Sequence, residues 1–157
     1  MGKAKEQKIF IDLAFKVSLD SNCTRKQVGA AIVSEGTVIT TAPNGTPEGV
    51  TPCNKGGCSR CNSDVSSGDS YDSCLCIHAE QSAIAIAAKA GLPTIGATLY
   101  CTLRPCLTCV NLCIHSGIVK LIYYEDMRFR PSIEKAYKQI IDKTGFELSR
   151  FIVSEVN

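Results

Sequence analysis

The sequence predicts an α/β fold in three layers, in which helices cover both faces of a mixed central sheet of about five strands. A β-hairpin pattern follows an N-terminal amphipathic helix. From residue 78 onward, helix and strand patterns alternate, which is typical of a sheet with helices on both faces. The length of 157 residues favours a single domain that spans 1–157.

The first helix is predicted over residues 5–20, where apolar residues recur at helical spacing. Two β-rich runs follow, QVGAAIVS at 27–34 and TVITTA at 37–42. Glu35 and Gly36 between them suit a two-residue hairpin turn. The first two strands are therefore predicted to be antiparallel neighbours.

Residues 43–73 are rich in glycine, proline, serine and asparagine and show no apolar periodicity. A loop of this length in a compact domain needs something to fix it. Five cysteines crowd this part of the chain, so we expect a cysteine-rich insert at about 50–76.

The remaining elements alternate, and glycines mark the helix ends. The pattern predicts helices at 78–90, 106–116 and 132–143, and strands at 97–102, 118–124 and 146–153.

Composition limits the classes of partner and compartment. A formal net charge of +2 gives no reason to expect nucleic acid or a membrane surface as a partner. No apolar run reaches the length of a membrane span, and the N-terminus lacks a signal segment, so a soluble, cytoplasmic protein is expected. In such a compartment the ten cysteines are better interpreted as metal ligands than as a disulfide framework.

Two short motifs place zinc ligands at predicted helix starts. His78 opens the motif H-A-E, and Cys106 and Cys109 belong to the motif P-C-L-T-C. Two thiolates and one imidazole supply three protein ligands and leave the fourth tetrahedral position open, as catalytic zinc sites do. A lone C-x-x-C is more often structural, but H-x-E together with P-C-x-x-C is the signature of zinc-dependent nucleobase deaminases.

Glu80 follows the histidine by two residues and is predicted to be the catalytic residue. A carboxylate there is placed to take a proton from water and pass it to a substrate nitrogen, which is general acid–base catalysis. Together with zinc, which lowers the pKa of bound water, this predicts hydrolytic replacement of an amino group on a heterocycle.

The chain resembles the deoxycytidylate (dCMP) deaminases of the zinc-dependent cytidine deaminase superfamily. The resemblance implies a cytidine-deaminase-like fold, conversion of dCMP to dUMP with release of ammonia, and a role in pyrimidine nucleotide metabolism. It assigns catalytic zinc to His78, Cys106 and Cys109 and the proton shuttle to Glu80. It further implies a small-molecule nucleotide substrate and a homo-oligomer, commonly a hexamer. The segments that carry it are SNCTRKQVGAAIV at 21–33, NGTPEG at 44–49, PCNKGGCSRC at 52–61, SCLCIHAE at 73–80, ATLYCTLRPCLTC at 97–109 and SGIVKLIYY at 116–124.

Four further positions receive substrate-binding roles from the resemblance. Asn44 matches the asparagine that bonds the sugar hydroxyl, and the backbone of Ala79 would face the pyrimidine carbonyl. Arg25 and Lys26 lie in a segment that approaches the nucleotide phosphate in similar enzymes. Taken alone, the Asn-Gly pair at residue 44 is more typical of an ordinary turn than of a binding residue.

The chain departs from the family pattern at residues that bear on regulation. Ala42-Pro43 stands where Gly-Tyr usually precedes Asn-Gly, Ser82 where an asparagine is common, and Met127 where a tyrosine is frequent. None of these changes removes a catalytic group, but two remove an aromatic ring near the regulatory nucleotide site of similar enzymes. We therefore expect intact catalysis and altered control by dCTP and dTTP.

Six cysteines outside the catalytic motifs suggest at least one further, structural zinc ion. Four ligands suffice for one ion, six also suit two ions that share a sulfur, and free buried thiols are the remaining alternative. Cys101 and Cys113 are expected to be core residues. The six are Cys23, Cys53, Cys58, Cys61, Cys74 and Cys76.

Two other functions remain open at this point. Another activity of the superfamily would use dCTP, a free nucleoside or an RNA base. A non-catalytic zinc-binding module is the alternative from another class, although such a module has no need of Glu80 beside an open metal position.

Overall fold

A computed structural model describes residues 2–152 and confirms the three-layer α/β/α architecture. The four helices of the described residues are α1 (Lys3–Ser18), α2 (Ala79–Lys89), α3 (Leu107–His115) and α4 (Pro131–Thr144). The five strands are β1 (Gly29–Ser34), β2 (Thr37–Pro43), β3 (Thr98–Leu103), β4 (Lys120–Glu125) and β5 (Glu147–Arg150).

The five strands form one mixed sheet in the order β2-β1-β3-β4-β5. β1 is antiparallel to both β2 and β3, whereas β3, β4 and β5 run parallel. The parallel half results from two strand–helix–strand units, in which α3 connects β3 to β4 and α4 connects β4 to β5.

The predicted hairpin forms with a two-residue turn. Ser34 pairs with Thr37, and the two residues between them have positive φ angles of 49° at Glu35 and 75° at Gly36. A turn with both central residues in the left-handed region matches the twist of the flanking strands. This turn fixes the register of the adjoining strand ends, and a β-bulge shifts the register between Ile32 and Val33.

Two apolar clusters lie on opposite faces of the sheet. On one face Ile32, Leu99 and Leu121 pack with α2, α3 and Tyr137 of α4. The other face is covered by α1, which comes so close to β1 that a Cβ on Gly29 would lie 2.0 Å from the carbonyl oxygen of Ala14. Cys101 and Cys113 are fully buried in the first cluster, as predicted.

Element boundaries differ from the predicted ones mainly at the ends. α2 and α3 each begin one residue later than predicted, because His78 and Cys106 occupy the N-cap positions. β5 ends at Arg150, earlier than the predicted strand at 146–153, whose last residue lies outside the described residues. No described helix has the length and apolar character that a membrane crossing requires.

The insert has little regular structure and is held by side chains. Within 43–73 the described secondary structure beyond the end of β2 consists of an isolated bridge at Gly45 and two short 3₁₀ turns. Asn22, in the α1–β1 connection, binds this segment through its side chain and its carbonyl, which accepts a hydrogen bond from the backbone N–H of Asn54 at 2.9 Å. The predicted loop is therefore ordered by contacts distant in sequence.

Candidate active site

Most of the predicted site residues line one cavity of about 1000 Å³, and Cys53, Cys58 and Cys109 are the ones that do not. Its wall combines the α1–β1 connection, the insert, the start of α2, the β3–α3 loop and the segment after β4. Among the residues that line it are His78, Glu80, Cys106, Asn44 and Arg25. The cavity lies beyond the carboxyl end of β3, where the two helix N-termini meet.

His78, Cys106 and Cys109 come together as a group suited to one metal ion. The Nδ1 atom of His78 is 3.5 Å from the Sγ of Cys106 and 3.3 Å from the Sγ of Cys109, and the two sulfurs are 3.5 Å apart. Tetrahedral zinc with Zn–S near 2.3 Å and Zn–N near 2.0 Å places such ligand atoms about 3.5 to 3.8 Å apart. The geometry and donor types of the three side chains fit zinc.

The pKa values of the two thiols in this group are shifted in opposite directions. Hydrogen bonds from Cys109 and His78 lower the pKa of Cys106 to about 4, although burial opposes the change. The pKa of Cys109 is raised, first by its bond to Cys106 and then by burial. A divalent cation bound here would require both sulfurs as thiolates, so its binding would release the thiol proton of Cys109.

Glu80 is buried beside this group and is not one of its three ligands. Its side chain is only 4% exposed, and it lies in the first turn of α2, two residues after His78. Burial raises the pKa of the carboxyl group, while the positive charge of His78 acts against this. A glutamate whose pKa is raised by burial suits a group that accepts and then donates a proton.

Two neighbours that orient His78 were not predicted. The backbone N–H of His78 donates to the Oε1 of Gln81 at 3.1 Å, as in a capping box. Tyr71 lies edge-on to the imidazole, with 6.4 Å between ring centroids. The spacing from residue 78 to residue 81 was a signal for the first contact, but no pattern pointed to Tyr71 within an irregular insert.

Asn44 is fixed by protein contacts at the cavity wall. Its Oδ1 accepts hydrogen bonds from Ser21 at 2.7 Å and from the N–H of Val28 at 2.8 Å, and its Nδ2 donates to the carbonyl of Lys26 at 2.8 Å. One amide hydrogen of Asn44 remains for another acceptor. Ala79 is fully buried at the first position of α2, where a backbone N–H has no partner within the helix.

Arg25 and Lys26 line the cavity but are engaged by the protein. Arg25 donates to three carbonyl groups of the insert, including that of Cys61 at 3.0 Å. Lys26 forms an ion pair with Glu125, with 2.5 Å between Nζ and Oε2. Their contact with a nucleotide phosphate therefore stays a prediction, and the bonds of Arg25 give it a second role in fixing the insert.

A partly exposed ion pair, also not predicted, fixes the loop that carries Cys106. Both terminal nitrogens of Arg104 lie 2.8 Å from the carboxylate oxygens of Glu134 in α4. The hydroxyl of Tyr137 donates to the carbonyl of Pro105, directly before the cysteine. α4 thus supports the second metal motif from outside the cavity.

The six remaining cysteines also come together. The structure arranges them in two groups of four, in each of which all sulfurs lie within 4.8 Å of one another. Burial acts to raise the pKa of Cys58, but hydrogen bonds from the backbone N–H groups of Cys61 and Leu75 outweigh it and bring the pKa to about 6. The two groups are Cys23, Cys53, Cys61 and Cys76, and Cys58, Cys61, Cys74 and Cys76.

Comparison with known proteins agrees with this geometry. Residues 4–125 match the family described as the cytidine and deoxycytidylate deaminase zinc-binding region. The chain belongs to this family. The match includes the motifs of His78, Cys106 and Cys109 and most of the central sheet.

Individual members give the range of similarity. A deoxycytidylate deaminase of Schizosaccharomyces pombe is 37% identical over 148 residues, which are 93% of this chain but 44% of that protein. A deoxycytidylate deaminase of Mycobacterium phage D29 is 35% identical over 133 residues, 78% of this chain and 97% of the phage protein. The chain therefore spans less than half of the yeast relative and nearly all of the phage relative.

A solved structure supports the same fold. The crystal structure of dCMP deaminase from cyanophage S-TIM5, in complex with dCMP and dUMP, superposes with a TM-score of 0.74 and 26% sequence identity. The match covers 96% of this chain and 99% of the phage chain. The cytidine-deaminase-like fold is thereby confirmed.

Proposed function

We propose that the protein is a zinc-dependent hydrolase that deaminates dCMP to dUMP and releases ammonia. The observation that carries the proposal is the three-ligand group of His78, Cys106 and Cys109 with the buried Glu80 beside it, inside a cavity of about 1000 Å³. Relatives of similar length carry the name deoxycytidylate deaminase. A role in pyrimidine nucleotide metabolism, supplying precursors of dTTP, follows from the product.

The proposed chemistry divides between the metal and Glu80. His78, Cys106 and Cys109 would hold the zinc ion, which would lower the pKa of a water molecule and so supply a nucleophile near neutral pH. Glu80 would carry both protons of the attacking water to the substrate, one to the ring nitrogen and one to the amino group, which leaves as ammonia while the water oxygen stays on the ring. Because burial raises the pKa of Glu80, its carboxylate accepts a proton more readily than that of an exposed glutamate.

Substrate binding is proposed for the four residues named from the resemblance. Asn44 has a free amide hydrogen for the sugar hydroxyl, and Ala79 has a backbone N–H at the start of α2 for the pyrimidine carbonyl. Arg25 and Lys26 supply the positive charge at the cavity wall that a phosphate group requires. Phosphate binding by Lys26 would require it to share or leave Glu125.

The proposal includes a second metal site, a single domain and an oligomer. The clustering of the insert cysteines supports at least one structural zinc ion. The cysteines form no disulfide bonds among the described residues, and this supports a location in a reducing compartment such as the cytoplasm. A single domain over 1–157 agrees with one continuous sheet. A homo-oligomer, commonly a hexamer in similar enzymes, is consistent with exposed apolar residues such as Leu112 on α3.

The function is tested by comparing substrates under one set of conditions. Purified protein is assayed for ammonia release from dCMP, CMP, deoxycytidine and dCTP, and kcat/KM is compared among them. We expect dCMP to be preferred. Preference for dCTP or deoxycytidine would support another activity of the superfamily, and no release from any of them would favour a non-catalytic zinc-binding module.

A further inference from the structure

We infer that the six cysteines of the insert and its neighbours form a two-metal cluster, in which Cys61 and Cys76 bridge two zinc ions. One ion is completed by Cys23 and Cys53 and the other by Cys58 and Cys74. The inference deepens the structural zinc site proposed above and rests on it. It does not depend on which nucleotide the enzyme deaminates.

The overlap between the two groups of sulfurs is the first argument. Each group contains four thiols within 4.8 Å of one another, and the groups share Cys61 and Cys76 and no other residue. Four sulfur donors complete the tetrahedral shell of a structural zinc ion. Two sets of four ligands that share two cysteines therefore correspond to a pair of ions joined by two bridging thiolates.

The sulfur–sulfur distances fit ligands of a common metal ion. Two thiolates bound to one tetrahedral zinc ion at about 2.3 Å lie about 3.8 Å apart. The Sγ of Cys61 is 3.6 Å from that of Cys74, 3.9 Å from that of Cys76 and 4.0 Å from that of Cys23. Cys58 and Cys74 are 3.9 Å apart. All four distances are far longer than a disulfide bond of about 2.05 Å.

A single ion leaves part of this arrangement unexplained. An ion in the first group would not use Cys58 and Cys74, and one in the second would not use Cys23 and Cys53. Both pairs nevertheless lie within the cluster, because the Sγ of Cys58 is 3.9 Å from that of Cys74 and the Sγ of Cys23 is 4.0 Å from that of Cys61. Two ions use all six thiols, and each ion then has two terminal and two bridging ligands.

The surroundings suit the charge of such a cluster. Six thiolates and two zinc ions leave a net charge of −2, because the ions cancel four of the six negative charges. The side chain of Arg60, next to a bridging cysteine in sequence, is only 6% exposed and brings a positive charge into this region. The thiol of Cys58 accepts a hydrogen bond from the N–H of Leu75 at 3.3 Å, and the hydroxyl of Thr24 lies 3.6 Å from the thiol of Cys53. Hydrogen bonds of this kind stabilise metal-bound thiolates.

The cluster would connect the insert to the catalytic group. Its ligands come from the α1–β1 connection at Cys23, from the insert and from Cys76, which is two residues before His78. Binding of Cys76 by two ions would fix the chain immediately before α2. The metal–sulfur bonds of the cluster would therefore cross-link the long insert, which has little regular structure to hold it in place.

Metal content of the intact protein tests the inference. Protein purified with zinc and freed of loosely bound metal is analysed by plasma mass spectrometry, together with His78→Ala, which removes a ligand of the catalytic group only. We expect about three zinc ions per wild-type chain and about two in His78→Ala. Two in the wild type and one in the variant would mean a single structural ion and overturn the inference. One in the wild type and none in the variant would overturn the structural site as well.

Bridging is tested on the His78→Ala protein loaded with ¹¹³Cd²⁺. Two ions joined by thiolates give two ¹¹³Cd resonances that are coupled to each other, whereas two uncoupled resonances or a single one would contradict bridging. Cys23→Ser, which alters one terminal ligand, is expected to change one resonance more than the other. Cys113→Ser, a buried thiol outside the cluster, is the matched control and should leave both unchanged. If the spectrum shows two coupled resonances but the zinc-loaded wild-type protein releases no ammonia from dCMP, the proposed deaminase activity is wrong and the inferred cluster is retained.

Discussion

Replacement of Glu80 by glutamine separates proton transfer from metal binding at the candidate site. The substitution preserves the shape of a side chain that is 4% exposed but removes its ability to accept a proton. General acid–base catalysis contributes roughly 10²- to 10⁴-fold, so the activation free energy should rise by about 3 to 5 kcal/mol. The His78, Cys106 and Cys109 group is unchanged, so the zinc content should stay the same.

The thermal stability of the same variant provides a second, independent test of the environment of Glu80. Burial raises the pKa of Glu80 because the charged form is poorly solvated, and a neutral amide does not have this cost. The thermal midpoint of Glu80→Gln should therefore equal or exceed that of the wild type near neutral pH. The assay follows ammonia release, zinc per chain and thermal unfolding on one preparation.

Asp126→Asn is the matched control, since Asp126 is also an acidic residue of the cavity wall. It should retain turnover within a few-fold of the wild type. Loss of zinc from Glu80→Gln, or turnover equal to that of the control, would refute the separation of roles between Glu80 and the three ligands.

Three further predictions concern the framework and the substrate. Arg104 lowers the pKa of Glu134, so Glu134→Gln should cost about 1 kcal/mol at neutral pH, because the carboxylate side chain is 40% exposed. The ion pair contributes fully to the free energy of unfolding above the ordinary glutamate pKa of about 4.3, and this contribution disappears as the pH falls through the lowered pKa. The urea unfolding curves of the two proteins should therefore converge in acid. A difference in stability that does not change with pH would contradict the prediction. Gly29→Ala should lower the free energy of unfolding by roughly 3 kcal/mol or more, because its Cβ would lie 2.0 Å from the carbonyl oxygen of Ala14, and an unchanged denaturant midpoint would show that α1 does not pack as described. Asn44→Asp keeps the oxygen that accepts two protein hydrogen bonds but loses the amide donor, so KM for dCMP should rise about tenfold with a smaller change in kcat; an unchanged KM would argue against sugar binding by this residue.

The parts of the molecule that depend on local sequence were predictable. The turn at Glu35 and Gly36 fixes the hairpin, and alternating periodicity after residue 78 indicates the parallel half of the sheet. The three-residue metal group was predictable for a related reason. Cys106 and Cys109 share the start of one helix, and His78 caps another whose N-terminus faces the same edge of the sheet.

The contacts that depend on the folded insert were not predictable. Arg25 donates to carbonyl groups 35 to 38 residues away, and the edge contact of Tyr71 with His78 comes from a segment without periodicity. The α4 support for Cys106 likewise depends on Arg104 reaching Glu134, 30 residues later. Irregular backbone has no repeating pattern from which such partners can be inferred, so the grouping of the insert cysteines also required the structure.

Altered regulation, expected from the loss of aromatic residues near the regulatory site, remains a sequence-based prediction. Pro43 pairs with Gly29 at the end of β2, and the carbonyl of Met127 accepts a hydrogen bond from Arg104 at 3.0 Å. Neither side chain offers an aromatic face to a nucleotide base. We therefore expect a hyperbolic dependence of rate on dCMP without added dCTP, and a strong activation by dCTP would show that regulation does not need these rings.

The most direct test of the proposed function is the stoichiometry of a single reaction. The zinc-loaded protein is incubated with dCMP as the only nucleotide, and dCMP, dUMP and ammonia are quantified over time. Loss of dCMP with equal gains of dUMP and ammonia, absent in His78→Ala, is the predicted result. Unchanged dCMP in the presence of fully zinc-loaded, folded protein would contradict the proposed activity.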